Sequence, residues 1–231
     1  MKTLIMVSHP NIEQSATEAF FKTSADFVDE STWYSLDHLY SKAKIDPDRE
    51  QRFIQNFDRI IFQFPLYWYS SPASLKQYMD DVFTRKFIVA TQSLKNKELG
   101  IVVTTGDALT NFQAGGSERY TMSEILRPFE AFANKAVMVY LKPFVVDQFN
   151  YKEVTDKQRL LVAYLQYLNA PMPLSLENRE KWLLAQLKQS KPDTAPQQQQ
   201  ILDLVIGAID DQQDQIDDLK MNIKLIRDQE E

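Results

Sequence analysis

Arg59-Ile60-Ile61-Phe62-Gln63-Phe64-Pro65-Leu66-Tyr67-Trp68-Tyr69-Ser70-Ser71-Pro72 begins as an almost unbroken apolar run and ends with three consecutive aromatics between two prolines. Residues 59–64 lack the polar–apolar alternation of a half-exposed strand, which is the pattern of a strand covered on both faces in a parallel sheet. Residues 99–104, with Ile101-Val102-Val103, repeat that pattern, and shorter strands are expected at 3–8, 32–36 and 136–141. Helical patterns fall between them near 15–29, 48–57, 73–84 and 121–133, with two more near 155–169 and 176–189. Strand and helix in alternation predict an α/β fold with a doubly wound parallel sheet of five strands.

Composition removes several classes of function. The 231 residues are 44% hydrophobic, enough for a real core. The chain has no cysteine and two histidines, His9 and His38. Disulfides, thiolate chemistry and a multi-histidine zinc site are therefore excluded, and no metal site is expected. The five glycines, Gly100, Gly106, Gly115, Gly116 and Gly207, cannot assemble a dinucleotide fingerprint, a Walker loop or a nucleophile elbow. The acidic balance argues against a nucleic-acid partner, and no apolar run is long enough for a membrane span, so a cytoplasmic protein is expected.

The charge is localised. Residues 197–231 hold nine acids and three bases, the whole of the net −6, and residues 1–196 are formally neutral. The organisation expected is a domain over 1–189, a linker over 190–196 with two prolines, and a helix over 197–231. In that helix Leu202, Val205, Ile209, Gln212, Ile216, Leu219, Ile223 and Ile226 are spaced alternately by three and four, the a and d positions of four heptads. Such a seam predicts either a self-associating coiled coil or an amphipathic helix laid on its own domain.

In an open α/β sheet the ligand lies beyond the carboxyl ends of the strands. After the first strand, Ser8-His9-Pro10-Asn11 runs through Ser15-Ala16-Thr17 into a helix, a setting suited to a phosphate. The pair Ser15 and Glu18 also reads as an ordinary capping box. After the third strand the aromatic loop suits a flat ligand or a dimer interface. After the fourth, Thr104-Thr105-Gly106-Asp107 places a glycine where a ligand could approach the backbone, or where a simple turn would ask for one. Together the three loops would surround an elongated ligand with a phosphate at one end and a ring system at the other, the shape of flavin mononucleotide.

Those motifs, with Pro72-Ala73-Ser74-Leu75-Lys76 and Leu126-Arg127-Pro128, make the chain similar to the flavodoxin-like NAD(P)H quinone oxidoreductases, most of all their short bacterial general-stress and potassium-efflux ancillary branch. The resemblance covers roughly residues 1–170. It implies FMN, with FAD the alternative, held at its phosphate by His9, Ser15, Ala16 and Thr17. Pro65, Leu66, Tyr67 and Trp68 would lie along the isoalloxazine, with Thr104, Thr105 and Gly106 at its other edge. Tyr69 and Phe112 would face the substrate. It further implies hydride transfer from NADPH or NADH to the flavin and then to a quinone, nitro or azo compound, in a protein that dimerises through its body, with the tail building a higher homo-oligomer. The chain departs from the family at Asp107, at Phe112 where a tyrosine is common, in lacking a histidine in 113–116, and at Glu18 where an asparagine is usual. The alternative function is a flavin-binding regulatory or scaffold protein with weakened catalysis.

Overall fold

The computed structural model describes residues 1–41, 45–190 and 196–230. Its strands are β1 (Thr3–Val7), β2 (Ser31–Ser35), β3 (Arg59–Pro65), β4 (Glu98–Thr105), β5 (Val139–Tyr140) and β6 (Phe144–Asp147). Its helices are α1 (Ala16–Ala25), α2 (Leu36–Tyr40), α3 (Pro47–Ile54), α4 (Ala73–Val82), α5 (Met122–Ile125), α6 (Arg127–Lys135), α7 (Val154–Asn169), α8 (Leu176–Ser190) and α9 (Pro196–Glu230). The chain divides into compact units Met1–Asn169 and Ala170–Glu231.

In the first unit the sheet runs β2-β1-β3-β4-β5, every pair parallel, and β6 also pairs with β4. Every residue of β3 and residues 99–103 of β4 are buried, as the unalternated apolar runs predict, and β1 is buried throughout as well. The strand order reverses between β1 and β3, which places a crevice at their carboxyl ends. Leu4, Met6, Phe62, Phe64, Ile101 and Val103 feed one continuous core, and each such side chain contributes roughly 1.5–3 kcal/mol by leaving water.

The fifth lane departs from expectation. Residues 136–138 close α6 instead of opening a strand: the Met138 amide donates to the Ala133 carbonyl at 2.9 Å and the Val137 amide to Asn134 at 3.2 Å. This is a Schellman cap, with Val137 in the left-handed position at φ 57° that glycine usually takes. The lane then comes in two pieces. Val139 and Tyr140 face Glu98 and Leu99, whereas Phe144 through Asp147 face Val102 through Thr105. Four residues on the edge span three on β4, a bulge centred on Leu141-Lys142-Pro143. Helix α2 was not expected from the sequence, nor was the π-turn at Lys86–Ala90, and the single helix expected near 121–133 is the pair α5 and α6. Their junction at Leu126 (ψ 0°) precedes Arg127-Pro128, where the proline stands in the first turn of α6.

In the second unit α8 lies antiparallel to α9, with Lys188 3.5 Å from Asp210 and Lys220 3.9 Å from Glu177. Leu202, Ile209 and Ile216 are half-buried and Ile206 is buried, while Leu219, Ile223 and Ile226 are exposed. Division by contacts thus groups α8 with α9, not with the domain expected over 1–189. The core of the expected linker, 191–195, lies outside the described residues.

Candidate functional site

The sheet register sets the loops side by side. Val7 is paired with Gln63, and Pro65 with Thr104, so the segments after β1, β3 and β4 leave the sheet together.

Immediately after β1, Ser8 is buried, its amide donating to the Gln63 carbonyl at 2.9 Å and its hydroxyl 2.6 Å from that of Ser74. The His9 amide donates to the Asp37 carboxylate at 2.7 Å, and His9 Nδ1 accepts from the Asn11 amide at 3.1 Å. Burial lowers the imidazole below its usual range, against the pull of Asp37. The ring is then neutral at pH 7, and its one N–H falls on Nε2. Ser15 caps α1, its hydroxyl oxygen accepting from the Glu18 amide at 3.2 Å while its own proton remains available to donate. The Ala16 and Thr17 amides come before the intrahelical ladder and have no acceptor within the helix. The turn therefore presents an imidazole N–H, a hydroxyl and two amides at the positive end of a helix dipole.

Glu18 does not complete the expected capping box: the Ser15 amide donates to the Ile12 carbonyl instead. The Glu18 carboxyl turns inward and accepts from Gln63 Nε2 at 2.6 Å, while the Tyr164 hydroxyl donates to Gln63 Oε1 at 2.8 Å. Its other oxygen is buried without a hydrogen-bond partner. Burial pushes this carboxyl up to about 7, against the opposing effect of the Gln63 amide.

After β3 the chain forms a tight hairpin turn. Tyr67 and Ser70 exchange hydrogen bonds of 2.9 and 3.0 Å, and the central pair Trp68 and Tyr69 have φ of 48° and 61°. This two-residue turn normally uses Asn and Gly, so two aromatics here cost roughly 1–3 kcal/mol each. The strain holds Trp68 93% exposed. The Tyr69 hydroxyl donates to Glu118 at 2.7 Å, tying the hairpin to the glycine segment; that hydrogen bond raises the phenol above its ordinary range.

Beyond β4, Asp147 at the end of β6 braces the glycine segment by accepting from the Leu109 amide at 2.9 Å and from Lys152 at 3.0 Å. Burial works against its charge, but these two donors prevail and hold it below the usual carboxylate range. The Gln148 amide donates to the Thr105 carbonyl at 2.8 Å. The Phe149 ring lies 5.2 Å from that of Phe20 in α1, which links this turn to the helix that begins with the Ala16 and Thr17 amides.

Beyond the ends of β3 and β4 lies a cleft of about 170 Å³, lined by Pro65, Leu66, Tyr67, Thr104, Thr105 and Gly106, and also by Val146 and the turn Gln148 through Tyr151. That volume is below the roughly 300–1,000 Å³ usual for a whole ligand, so it suits one edge of a larger molecule. Trp68 and Tyr69 stand outside the lining at the hairpin tip. Phe112 corrects the expectation of a substrate wall: it is 5% exposed and belongs to the core, because the Leu109–Asn111 turn directs it inward. The turn 148–151 was missed because the strand that aims it begins after a proline and was not anticipated.

A family model described as a flavodoxin-like fold matches residues 1–170. The uncharacterized NAD(P)H oxidoreductase YrkL of Bacillus subtilis (strain 168) is 37% identical over 171 residues, covering 72% of this chain and 98% of that one. An NADPH-quinone reductase from P. pentosaceus is 50% identical, covers 73% of this chain and 98% of its own, and superposes with a TM-score of 0.69. General stress protein 14 of Treponema denticola, solved in complex with FMN, is 31% identical, with 73% and 98% covered and a TM-score of 0.66.

Proposed function

The chain belongs to the flavodoxin-like NAD(P)H oxidoreductase family, and from that premise we propose that it carries hydride from NADPH or NADH through non-covalently held FMN to a quinone or similar small acceptor. The observation that carries the reading is the placement, by sheet register, of an open helix start after β1 next to a ring-sized cleft beyond the ends of β3 and β4, beside the point where strand order reverses between β1 and β3. The residues fit the cofactor. His9 Nε2–H, the Ser15 hydroxyl and the Ala16 and Thr17 amides are donors for a phosphate; Pro65, Leu66 and Tyr67 border one side of the ring system, and Thr104, Thr105 and Gly106 the other. A Cβ added at Gly106 would meet nothing within 4 Å, the open space expected where a ligand passes the backbone. When bound, FMN supplies two-electron acceptance and donation, and the protein's share is to orient and to exclude water. Trp68 and Tyr69 at the hairpin tip would meet the nicotinamide and then the acceptor. Phe112 cannot deliver a proton from the core, so the acceptor's proton would come from solvent.

The deciding experiment is anaerobic titration of the purified yellow protein with NADPH and NADH. Bleaching near 450 nm with either supports the reductase; a flavin that stays oxidised under both favours a flavin-binding scaffold, and a protein that cannot take up FMN or FAD defeats both. Gly106→Val should leave the unfolding midpoint unchanged, because its side chain enters open space, yet weaken FMN binding by roughly tenfold or more. Equal FMN affinity in the variant would remove Gly106 from the site.

For the tail, the exposed Leu219, Ile223 and Ile226 support pairing with a second copy, since α8 covers only the earlier part of the seam. Ile223→Asp with Ile226→Asp should lower the molar mass seen by light scattering; an unchanged mass would argue against this seam. No helix among the described residues is long and apolar enough to cross a membrane. A pool of reduced nicotinamide as donor fits a cytoplasmic setting.

A further inference from the structure

Glu18 is the one acid in the first turn of α1, one residue beyond the amides assigned above to a phosphate. Only 1% of it is exposed, it has no ion-pair partner among the described residues, and one of its oxygens is unpartnered. A carboxylate there would lie in a poorly solvated layer at the place where the fold accepts an anion, and the two negative charges would repel at low dielectric. The neutral acid avoids this and keeps the Gln63 bond, since a carbonyl oxygen still accepts from Nε2.

We propose that Glu18 is the neutral acid whenever a phosphomonoester dianion occupies the adjacent phosphate-binding turn, so that docking of the dianion on the ionised form is coupled to proton uptake at its carboxyl group. This rests on the flavin-binding reading and deepens it: FMN binds as a proton-linked equilibrium, and riboflavin, which lacks the phosphate, binds without one. The reaction balances simply, one proton from water adding to one carboxylate oxygen as the dianion enters.

The surroundings leave Glu18 as the responsive group. From β3 it meets Gln63, and from α7 Tyr164, whose phenol is held far above its usual range by complete burial and then by Glu18 itself. On β2, Tyr34 is committed to Glu50. On α7, Lys157 sits over the Phe149 ring and Arg159 pairs with Asp156. His9, beside Asp37, is lowered in the free protein, and whatever proton it gains as the dianion docks is retained in Glu18→Gln, so the variant isolates the share of Glu18. Glu13 precedes α1 and Lys22 follows on it, both exposed. A phosphomonoester is itself a dianion above about pH 6. In the free protein the carboxyl ionises around pH 7, so the coupling appears above that value.

The test measures FMN and riboflavin dissociation constants by flavin fluorescence from pH 6.5 to 9 on the full chain and on Glu18→Gln. The wild-type FMN constant should rise above pH 7 with a slope approaching tenfold per pH unit, riboflavin should stay flat, and Glu18→Gln should lose the part of the slope that Glu18 contributes. Calorimetry at pH 8 in two buffers of different ionisation enthalpy should show up to one proton taken up with FMN and none with riboflavin. Equal slopes for FMN and riboflavin on the wild-type chain would overturn the proposal even if the variant failed to fold, as would an unchanged slope in a folded variant. Absence of binding by both flavins at every pH would instead overturn the reading on which it rests.

Discussion

Glu98→Leu is expected to destabilise the first unit by about 3 kcal/mol, within the roughly 3–5 kcal/mol found when one partner of a buried pair is removed. Arg59 is fully buried, and its Nε donates to Glu98 Oε2 at 2.6 Å while Nη1 donates to the Tyr167 carbonyl. The two residues are cross-strand neighbours at the start of β3 and β4. Removing the carboxylate takes the Glu98 charge away from a buried guanidinium that keeps its bond to the Tyr167 carbonyl. Glu98 is 22% exposed, so water can enter in its place and moderate the cost to the low end of the range. For a unit of this size the unfolding midpoint should fall by roughly 6–12 °C. Arg59→Met combined with Glu98→Leu should recover most of the loss, because no charge is then left buried. A double variant as unstable as the single one would mean that the cost arises from packing. FMN affinity measured well below the midpoint should not move, since the pair lies at the end of the sheet opposite the loops.

Gly116→Ala should act at the site instead. A Cβ there would lie 2.2 Å from the Asn111 carbonyl oxygen and 2.8 Å from that of Thr110, both backbone atoms that cannot rotate away. The Leu109–Asn111 turn must shift, although its Leu109 amide is fixed to Asp147 and its Asn111 carbonyl to the Glu118 amide. This turn continues from Gly106, so the displacement reaches the wall of the cleft. The expected outcome is a stability loss of roughly 1–3 kcal/mol from overpacking. FMN should bind ten- to a hundredfold more weakly, as misplacement on the order of 1 Å does at a site of this kind. Gly207→Ala is the matched control: nothing lies within 4 Å and the position is helical, so stability should hold or rise slightly. Unchanged FMN affinity in Gly116→Ala would show that the turn relaxes without disturbing the wall.

What the sequence reveals follows from how local the cause is. The runs at 59–64 and 99–103 are buried on both faces, and a strand with no solvent side is apolar except where a polar side chain is paired, as Arg59 is with Glu98 and Gln63 with Glu18 and Tyr164, so β3, β4 and the loops they aim are legible. The fifth lane is not. Ala136-Val137-Met138 has strand composition, yet α6 needs its last carbonyls satisfied, and that tertiary requirement forces valine into a left-handed cap. Phe144 through Asp147 are hidden by the preceding Pro143, although an edge lane tolerates a proline whose missing amide would face no neighbour. Phe112 and Glu18 fail for a shared reason: spacing in a motif says where a residue falls along the chain, and only the packing around it decides whether its side chain faces the cleft or the core.

The same interruption has a bearing on solubility. An edge lane with exposed Val139 offers its outer backbone groups to any passing strand, and an open, flat edge of that kind is a template for aggregation. The extra residue and Pro143 break the lane into two short pieces that a continuous incoming strand cannot match in register, so the bulge guards the edge of the sheet opposite β2.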